Sequence, residues 1–362
     1  MKKLSFYLFS VLAVLFSFTA CGGETTDPDK PEDPDKPGTT GTYNVLPVEG
    51  VYFGAAQLGE GTASYVYTFA EKGITVNSEG AVEGTGALFS VFLVTEGSLD
   101  LNPAAGTYAI TDVQAIQSFP VAIAGLQGQS GPIGCYVNLY KDGKSTDVFY
   151  LTGGSVKVSG SGAGFTIALD ATDADEVAYK FSYTGAIEMY NFPYGDESAK
   201  TSFTATATQV VARYYVGQGF VQYAYELTLD NGYMAMIPFF TAAGDAYDNF
   251  AQIAGTYNVA LNYSIGDIPA SVGYDGQYVN APFVGKDSGQ GLTEVYFITA
   301  GSMTIAADGA ANASFTSFGG SKFNLTVNAG YTITQAQQAA PAARALNIAK
   351  EQVAFRPVSF IR

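Results

Sequence analysis

The side chains that could perform chemistry are few, because the chain contains no histidine. The absence of imidazole excludes Ser–His–Asp and Cys–His nucleophile systems and histidine-ligated metals. Carboxylates, tyrosine and lysine remain for general acid–base catalysis. A glycosidase needs two opposed carboxyl groups, and the chain has 33 acidic residues, but no motif positions such a pair. We therefore expect no catalytic residues and no cofactor, with a carboxylate-based glycosidase as the enzymatic alternative.

Acidic residues form one dense cluster in the part of the chain expected to fold. The cluster comprises Asp170, Asp173, Asp175 and Glu176. It lacks the glycine and the spacing of an EF-hand loop. The sequence favours a solvent-exposed turn between Leu169 and Val177, and a calcium site at Asp170, Asp173 and Asp175 is the alternative.

Cys21 is the residue for which the sequence predicts a covalent change. It follows the basic start Met1–Lys3, a mostly apolar run over Leu4–Phe18 and the small pair Thr19–Ala20. This order is that of a secretory signal peptide, here residues 1–20. The apolar run is shorter than the roughly 20 residues that span a bilayer as a helix. An ordinary signal peptide that leaves an unmodified cysteine is the alternative.

A cysteine at this cleavage site resembles the lipobox of bacterial lipoproteins. The resemblance implies that the Cys21 thiol carries acyl chains of the palmitate type and that the mature protein begins at this residue. Each buried methylene contributes roughly 0.8 kcal/mol, so several chains together hold a protein on a membrane. We therefore expect the membrane to be a partner of the protein through Cys21.

Residues 21–42 are predicted to form a tether. Glu24–Pro37 reads ETTDPDKPEDPDKP and contains the unit Asp-Pro-Asp-Lys-Pro twice. Repeated prolines block helix and sheet hydrogen bonding and favour polyproline II geometry. At about 3.1 Å per residue, such a tether would reach on the order of 50 Å. This segment is expected to hold the folded part away from the membrane.

Composition narrows the remaining possibilities. The formal net charge is −16, so nucleic acid and anionic lipid head groups are not expected partners. The chain has 42 Gly, 25 Tyr and 25 Phe and no Trp, a profile typical of short strands joined by tight turns. Cys135 is the only cysteine after Cys21, and its alternation with Val137 and Leu139 predicts a buried side chain.

An internal repeat predicts two copies of one β-domain. The segment Val148–Val158 matches Val295–Ile305 without a gap, and Ala105-Gly106-Thr107-Tyr108 recurs as Ala254-Gly255-Thr256-Tyr257. Two weaker matches pair Tyr52-Phe53-Gly54 with Tyr215-Val216-Gly217 and Tyr65–Phe69 with Tyr223–Leu227. A period this long indicates duplicated domains rather than a solenoid. We assign residues 43–200 to β-domain 1 and residues 201–362 to β-domain 2.

Each copy is predicted to be antiparallel β. Asp142-Gly143 and Asp230-Asn231-Gly232 are hairpin signals, and Gly153-Gly154 and Ala300-Gly301 indicate a bend or bulge. The fold class is therefore all-β, with two tandem antiparallel β-sandwich-like domains and small β-barrels as the alternative. A short helix near 334–350 and a terminal strand over Val353–Ile361 complete the predicted elements.

Aromatic residues are the strongest indication of a ligand. They crowd the junction between the two domains and the start of the second: Tyr190, Phe192, Tyr194, Tyr214, Tyr215 and Tyr223. Tyrosine offers a flat apolar ring and a hydroxyl group, which suits sugar stacking and protein interfaces. The alternative is that these rings fill the cores of domains that have no tryptophan.

The order of signal peptide, Pro/Asp tether and tandem Tyr-rich β-domains resembles the outer-membrane lipoproteins of Bacteroidetes. The resemblance implies a lipid-anchored outer-membrane protein at the cell surface, with a periplasm-facing protein as the alternative. We expect a non-catalytic protein that binds a glycan or a surface protein. A subunit or anchor of a fimbria-like assembly is the alternative, although maturation of such pilins uses an arginine soon after the tether, and the first arginine here is Arg213.

Overall fold

The structure is a computed structural model that describes residues 41–336, apart from 56, 59–60, 78–79, 130, 196, 218, 245–246, 276–277, 280 and 290. Cys21, most of the tether, most of the expected helix near 334–350 and the terminal strand Val353–Ile361 lie outside these residues. Within them, none of the helices has the length and apolar character needed to cross a membrane.

Two consecutive β units make up nearly all of the described chain. The strands of the first unit are β1 (Gly41–Tyr43), β2 (Val45–Gly54), β3 (Thr62–Glu71), β4 (Ile74–Val76), β5 (Val82–Gly84), β6 (Gly86–Glu96), β7 (Gly106–Thr111), β8 (Val121–Ile123), β9 (Leu126–Gly128), β10 (Gly131–Ile133), β11 (Tyr136–Lys141), β12 (Lys144–Tyr150), β13 (Gly153–Ser159), β14 (Thr166–Thr172), β15 (Ala178–Thr184) and β16 (Met189–Asn191). Two 3-10 turns, Val113–Ala115 and Gly162–Gly164, interrupt them.

The second unit repeats this order with fewer breaks. Its strands are β17 (Ser202–Val216), β18 (Phe220–Leu229), β19 (Met234–Ala242), β20 (Gly255–Ala260), β21 (Asp267–Pro269), β22 (Tyr274–Asp275), β23 (Tyr278–Val279), β24 (Phe283–Asp287), β25 (Leu292–Ile305), β26 (Ala311–Ser317), β27 (Lys322–Val327) and β28 (Ile333–Gln335). A single-turn helix, α1 (Phe250–Ile253), precedes β20. Thr334 and Gln335 therefore belong to a strand, which corrects the start of the helix expected near 334–350.

The second unit closes into a barrel. Its strands pair in the order β25-β24-β19-β18-β17-β27-β26, and β26 pairs again with β25. Closure depends on two long strands, β17 and β25, each of which pairs with one set of neighbours along its first half and another along its second. The all-β tandem architecture expected from the sequence is confirmed, and this unit takes the barrel form.

The first unit has the same strand order but breaks both of these long strands. β1 and β2 occupy the place of β17, with Asn44 between them, and β12 and β13 occupy the place of β25, with Leu151 and Thr152 between them. The result is a curved, half-closed sheet of twelve strands. The pairings match strand for strand, from the parallel pair β1–β15 and its counterpart β17–β27 to β2–β16 and its counterpart β17–β28.

The Ala-Gly-Thr-Tyr repeat has a direct structural cause. The Tyr108 hydroxyl donates to the carbonyl of Ala104 at 2.6 Å, and the Tyr257 hydroxyl donates to the carbonyl of Ile253 at 2.8 Å. Each bond fastens the segment that enters β7 or β20. The register also shows that Tyr52 corresponds to Tyr214, because these residues pair with Tyr65 and Tyr223. The sequence comparison matched Tyr52 with Tyr215, so the structural alignment differs from it by one residue.

The core of the first unit extends onto the second unit. Phe283, Val295 and Phe297 of the second unit join the cluster of buried side chains that fills the first. Tyr194, in the connection between the units, is 2% exposed and stacks on Phe318 at 4.1 Å between ring centroids. A separate cluster that includes Tyr223 and Tyr225 fills the barrel. The connection is therefore packed as core rather than as a free linker.

Local predictions at the turns and at Cys135 are confirmed. Asp142 and Gly143 both have positive φ and join β11 to β12, and Gly232 closes the β18–β19 turn. Cys135 is fully buried. Burial raises the pKa of the Cys135 thiol to about 12, so the thiol stays protonated and unreactive at neutral pH.

Candidate functional site

A row of polar and aromatic side chains lies on the outer side of the first unit. Along β11, Cys135, Val137 and Leu139 face the core. Side chains alternate along a strand, so Tyr136 and Asn138 point the opposite way, toward the outside of the sheet.

The register extends this row across five strands. Glu49 on β2 pairs with Thr68 on β3, Thr68 with Ser90 on β6, Ser90 with Tyr136 on β11, and Tyr136 with Tyr150 on β12. Because neighbouring strands lie 4.7–4.9 Å apart, the row is about 19 Å long. We call these five residues, with Asn138 and Tyr140 beside them, the outer tyrosine face.

Hydrogen bonds hold several of these side chains in place. The Asn138 amide donates to the Tyr140 hydroxyl at 3.1 Å and accepts from the Ser145 hydroxyl at 2.7 Å. Ser90 donates to the carbonyl of Gly134 at 3.1 Å, and the Tyr150 hydroxyl donates to the side chain of Gln127 on β9. The face is therefore an ordered surface with the β9–β10 hairpin at one end.

Burial keeps the tyrosine hydroxyls of the outer tyrosine face in their neutral form. Burial raises the pKa of Tyr136 to about 12 and also raises the pKa values of Tyr140 and Tyr150. These three tyrosines are half-buried and stay protonated at neutral pH, so each presents an apolar ring with a neutral hydroxyl group. The Tyr150 hydroxyl is already bonded to Gln127 and the Tyr140 hydroxyl to Asn138.

Glu49 supplies the only carboxylate of the row. It is half-buried, burial raises its pKa, and a hydrogen bond from Thr68 opposes part of that rise. Among the described residues, no lysine or arginine lies within ion-pair distance of Glu49. Burial of a carboxylate without a cation is unfavourable.

The duplication shows what the equivalent row does in the second unit. There the register places Val211, Glu226, Met236, Phe283 and Phe297 in the same five positions. Phe283 and Phe297 are 6% and 0% exposed because they pack into the core shared with the first unit. In one copy, two of these positions thus hold buried phenylalanines that pack against the other unit. In the other copy the row is mostly polar, with Glu49, Thr68, Tyr136 and Tyr150 half-buried and Ser90 buried.

The aromatic residues expected to bind a ligand do not form one site. Tyr194 and Tyr223 are buried, at 2% and 1% exposure. Tyr214 packs near Tyr223 and Tyr247 at one end of the barrel, with ring centroids 6.3 and 5.6 Å away.

The other three predicted aromatics lie apart from that group. Phe192 is 42% exposed and contacts Phe53 at 5.1 Å. Tyr190 is half-buried on β16, and Tyr215 is half-buried on β17. The structure therefore separates these six residues into core, barrel-end and junction positions.

The acidic cluster forms a turn, but its central residue is not solvent-exposed. Asp173 is 8% exposed, and its carboxylate accepts from the backbone N–H groups of Asp175 and Val177, both at 3.0 Å, and from the Tyr179 hydroxyl at 3.1 Å. Asp170 pairs with Lys180 at 3.0 Å. Asp173 organises the turn through its own hydrogen bonds, which corrects the expectation of a fully solvated loop. In the described part of the chain, no three acidic or cysteine side chains group closely enough to hold a metal ion.

A second carboxylate, Glu294, shows the opposite arrangement to Glu49. It accepts from the hydroxyls of Tyr233 at 2.6 Å and Tyr296 at 3.2 Å, and Lys286 lies 3.8 Å away. The hydrogen bond from Tyr233 is the largest cause that lowers the pKa of Glu294. All of these partners belong to the barrel itself.

The outer tyrosine face was not predicted from the sequence, although part of its signal was present. The alternation that identified Cys135, Val137 and Leu139 as buried also placed Tyr136, Asn138 and Tyr140 on the other side. What the sequence could not supply was the alignment of that strand with Glu49 and Thr68, which are distant along the chain. No protein-family model matches the sequence, and no significant match exists to a curated protein or a solved structure.

Replacement of Glu49 by glutamine should stabilise the fold at neutral pH. A carboxyl group whose pKa is raised in the folded state disfavours folding when ionised, and this penalty disappears once the group is protonated in both states. We expect Glu49→Gln to raise the free energy of unfolding at pH 7, and the gain to shrink as the pH falls toward the ordinary glutamate value of 4.5. Urea unfolding at several pH values would measure it; a variant less stable than the wild type at pH 7 would contradict the assignment.

Proposed function

We propose that this protein is a non-catalytic binding protein, anchored to the outer membrane through Cys21, that presents the outer tyrosine face to a glycan at the cell surface. The observation that carries the proposal is the contrast between the duplicated copies. Where the second unit has half-buried Met236 and buried Phe283 and Phe297, the first has a buried Ser90 and two half-buried tyrosines, Tyr136 and Tyr150.

The chemistry of the face suits a sugar chain. A pyranose ring has an apolar face that stacks on tyrosine and a rim of hydroxyl groups that exchange hydrogen bonds with polar side chains. Tyr136 and Tyr150 supply rings, and Glu49 and Thr68 supply half-buried polar groups in the same row. Ser90 and Asn138 are 6% and 8% exposed and hold the face in place through their own hydrogen bonds. A straight row of about 19 Å across five strands suits an extended oligosaccharide better than a single compact ligand.

The remaining sequence features are consistent with a surface position. The acidic, proline-rich tether of residues 21–42 would hold both β units away from the membrane. The net charge of −16 disfavours nucleic acid and anionic polymers as ligands. The role proposed here is recognition of a ligand.

The proposal is tested by a glycan array with the protein lacking residues 1–40, which keeps every strand. We expect retention on at least one class of polysaccharide, and Tyr150→Ala should weaken binding about 10-fold or more, since loss of a central aromatic contact typically costs more than 1 kcal/mol.

Phe192→Ala is the matched control, because Phe192 is an exposed aromatic residue outside the face. Its affinity should equal that of the wild type. If the wild type binds no glycan on the array, the glycan hypothesis is rejected and a protein ligand is the remaining alternative. If Tyr150→Ala and Phe192→Ala lose the same amount of affinity, the outer tyrosine face is not the binding site.

A further inference from the structure

Glu49 is the one charged residue of the outer tyrosine face, and nothing in the fold accounts for it. Its hydrogen-bond partner is Thr68, directly opposite on β3. The described chain brings no cation to it, as noted above, and its neighbours along the row are hydroxyl groups.

Other carboxylates of the chain fall into two groups. Among the described residues, Glu71 and Glu197 accept hydrogen bonds with no cation beside them, as Glu49 does, and three others have more partners. Glu294 has two tyrosine hydroxyls and Lys286, and Glu226, which occupies the position of Thr68 in the second unit, pairs with Arg213. Asp173 has two backbone N–H donors and Tyr179. Within the outer tyrosine face, Glu49 is the one residue with a carboxylate, and the described chain supplies no cation to it.

A ligand cation would complete this arrangement. A carboxylate in a partly desolvated site gains more from a charged hydrogen-bond donor than from a neutral one. The Tyr150 ring would remain available for a sugar face, because Tyr150 is four strands away from Glu49. Tyr136 lies between them and is close enough for the charge of Glu49 to raise the pKa of its hydroxyl. The negative charge of the whole protein also attracts cations and repels acidic sugars.

We infer that the glycan recognised by the outer tyrosine face carries a free amino group, and that Glu49 binds the ammonium of an amino sugar at one end of the row. This inference rests on the proposed glycan-binding function and deepens it. It assigns Glu49 to specificity, and Tyr136 and Tyr150 to affinity for the sugar chain.

The test compares two probes of equal length, an oligomer of glucosamine and the same oligomer fully N-acetylated. For the mature protein at physiological salt, we expect the amine-bearing oligomer to bind about 10-fold more tightly, the scale of one charge-assisted hydrogen bond. Glu49→Gln should remove this preference and leave the affinity for the acetylated oligomer unchanged. Because Glu49→Gln is expected to be more stable than the wild type, a loss of binding would not be a loss of folding.

Glu96→Gln is the matched control for net charge. Glu96 is exposed at the end of β6, six residues or about 20 Å along the strand from Ser90. It should retain the preference for the amine. Equal wild-type affinity for the two oligomers, or an equal loss of preference in both variants, would overturn the role of Glu49 while leaving glycan binding intact. Failure of the wild type to bind either oligomer or any other glycan would overturn the proposed function itself.

Discussion

Replacement of Gly301 by alanine should lower the free energy of unfolding by about 2–6 kcal/mol, the sum of backbone strain and overpacking. Gly301 has φ of +118°, a region that residues with a Cβ rarely adopt. A Cβ at this position would lie 2.1 Å from the carbonyl oxygen of Ser314 and 2.8 Å from the Cα of Phe315. Both atoms belong to the backbone of β26, which cannot move away without opening the barrel.

Gly330→Ala isolates the two causes. Gly330 has φ of +108°, but no atom lies within 4 Å of the added Cβ. Only backbone strain applies there, so the expected loss is about 1–2 kcal/mol. Gly154→Ala tests the duplicated position, where the carbonyl oxygen of Asp170 would lie 2.2 Å from the Cβ. Chemical denaturation measures all three variants, and equal effects of Gly301→Ala and Gly330→Ala would show that close approach to β26 does not matter.

The second large effect concerns the connection between the units. Tyr194→Ala should cost about 3–5 kcal/mol, the range for removal of a buried aromatic side chain. Tyr194 is 2% exposed, stacks on Phe318, meets the Phe297 ring edge-on at 5.6 Å and donates to the carbonyl of Ser271 at 2.8 Å. All three partners lie in the second unit, so the variant should weaken the packing between the units.

Two neighbouring variants separate the contributions of Tyr194. Tyr194→Phe removes only the hydroxyl and leaves the buried Ser271 carbonyl without this donor, at a cost of about 1–2 kcal/mol. Phe192→Ala, two residues earlier and 42% exposed, should cost less than about 1 kcal/mol. A Tyr194→Ala protein as stable as Phe192→Ala would show that the connection is not packed as described.

Local features of the fold could be predicted from the sequence because they depend on neighbouring residues. Asp142-Gly143 specifies a tight hairpin through positive φ at both positions, and the Tyr108 and Tyr257 repeats carry a hydrogen bond to a residue four positions earlier. The alternation around Cys135 needs only one strand. The duplication itself was visible because whole segments such as Val148–Val158 were preserved.

The candidate site could not be predicted because it depends on register between distant strands. Glu49 and Tyr150 are separated by about a hundred residues and belong to one row only once β2, β3, β6, β11 and β12 are aligned. Proximity in sequence also led to a wrong prediction of which aromatic residues lie together. Tyr190, Phe192 and Tyr194 are close along the chain, but Tyr194 is buried between the units while Phe192 is exposed.

Sequence patterns within single strands also could not predict that the second unit closes into a barrel while the first stays half-closed. β17 and β25 run unbroken while their counterparts stop at Asn44 and Leu151, and each of these long strands pairs with strands that are distant along the chain. The bend at Gly301 was expected, but not its role in passing β25 from one set of partners to the other.

Hydrogen–deuterium exchange with and without a bound glycan tests most directly whether the outer tyrosine face is the binding site. The protein, with the glycan that the array identifies, should show ligand-dependent protection in β6, β11 and β12, around Ser90, Tyr136 and Tyr150. The corresponding strands of the second unit, β19 and β24, should exchange at the same rate in both states. Protection confined to the barrel end near Tyr214 and Tyr247, or to the junction at Phe192, would contradict the account.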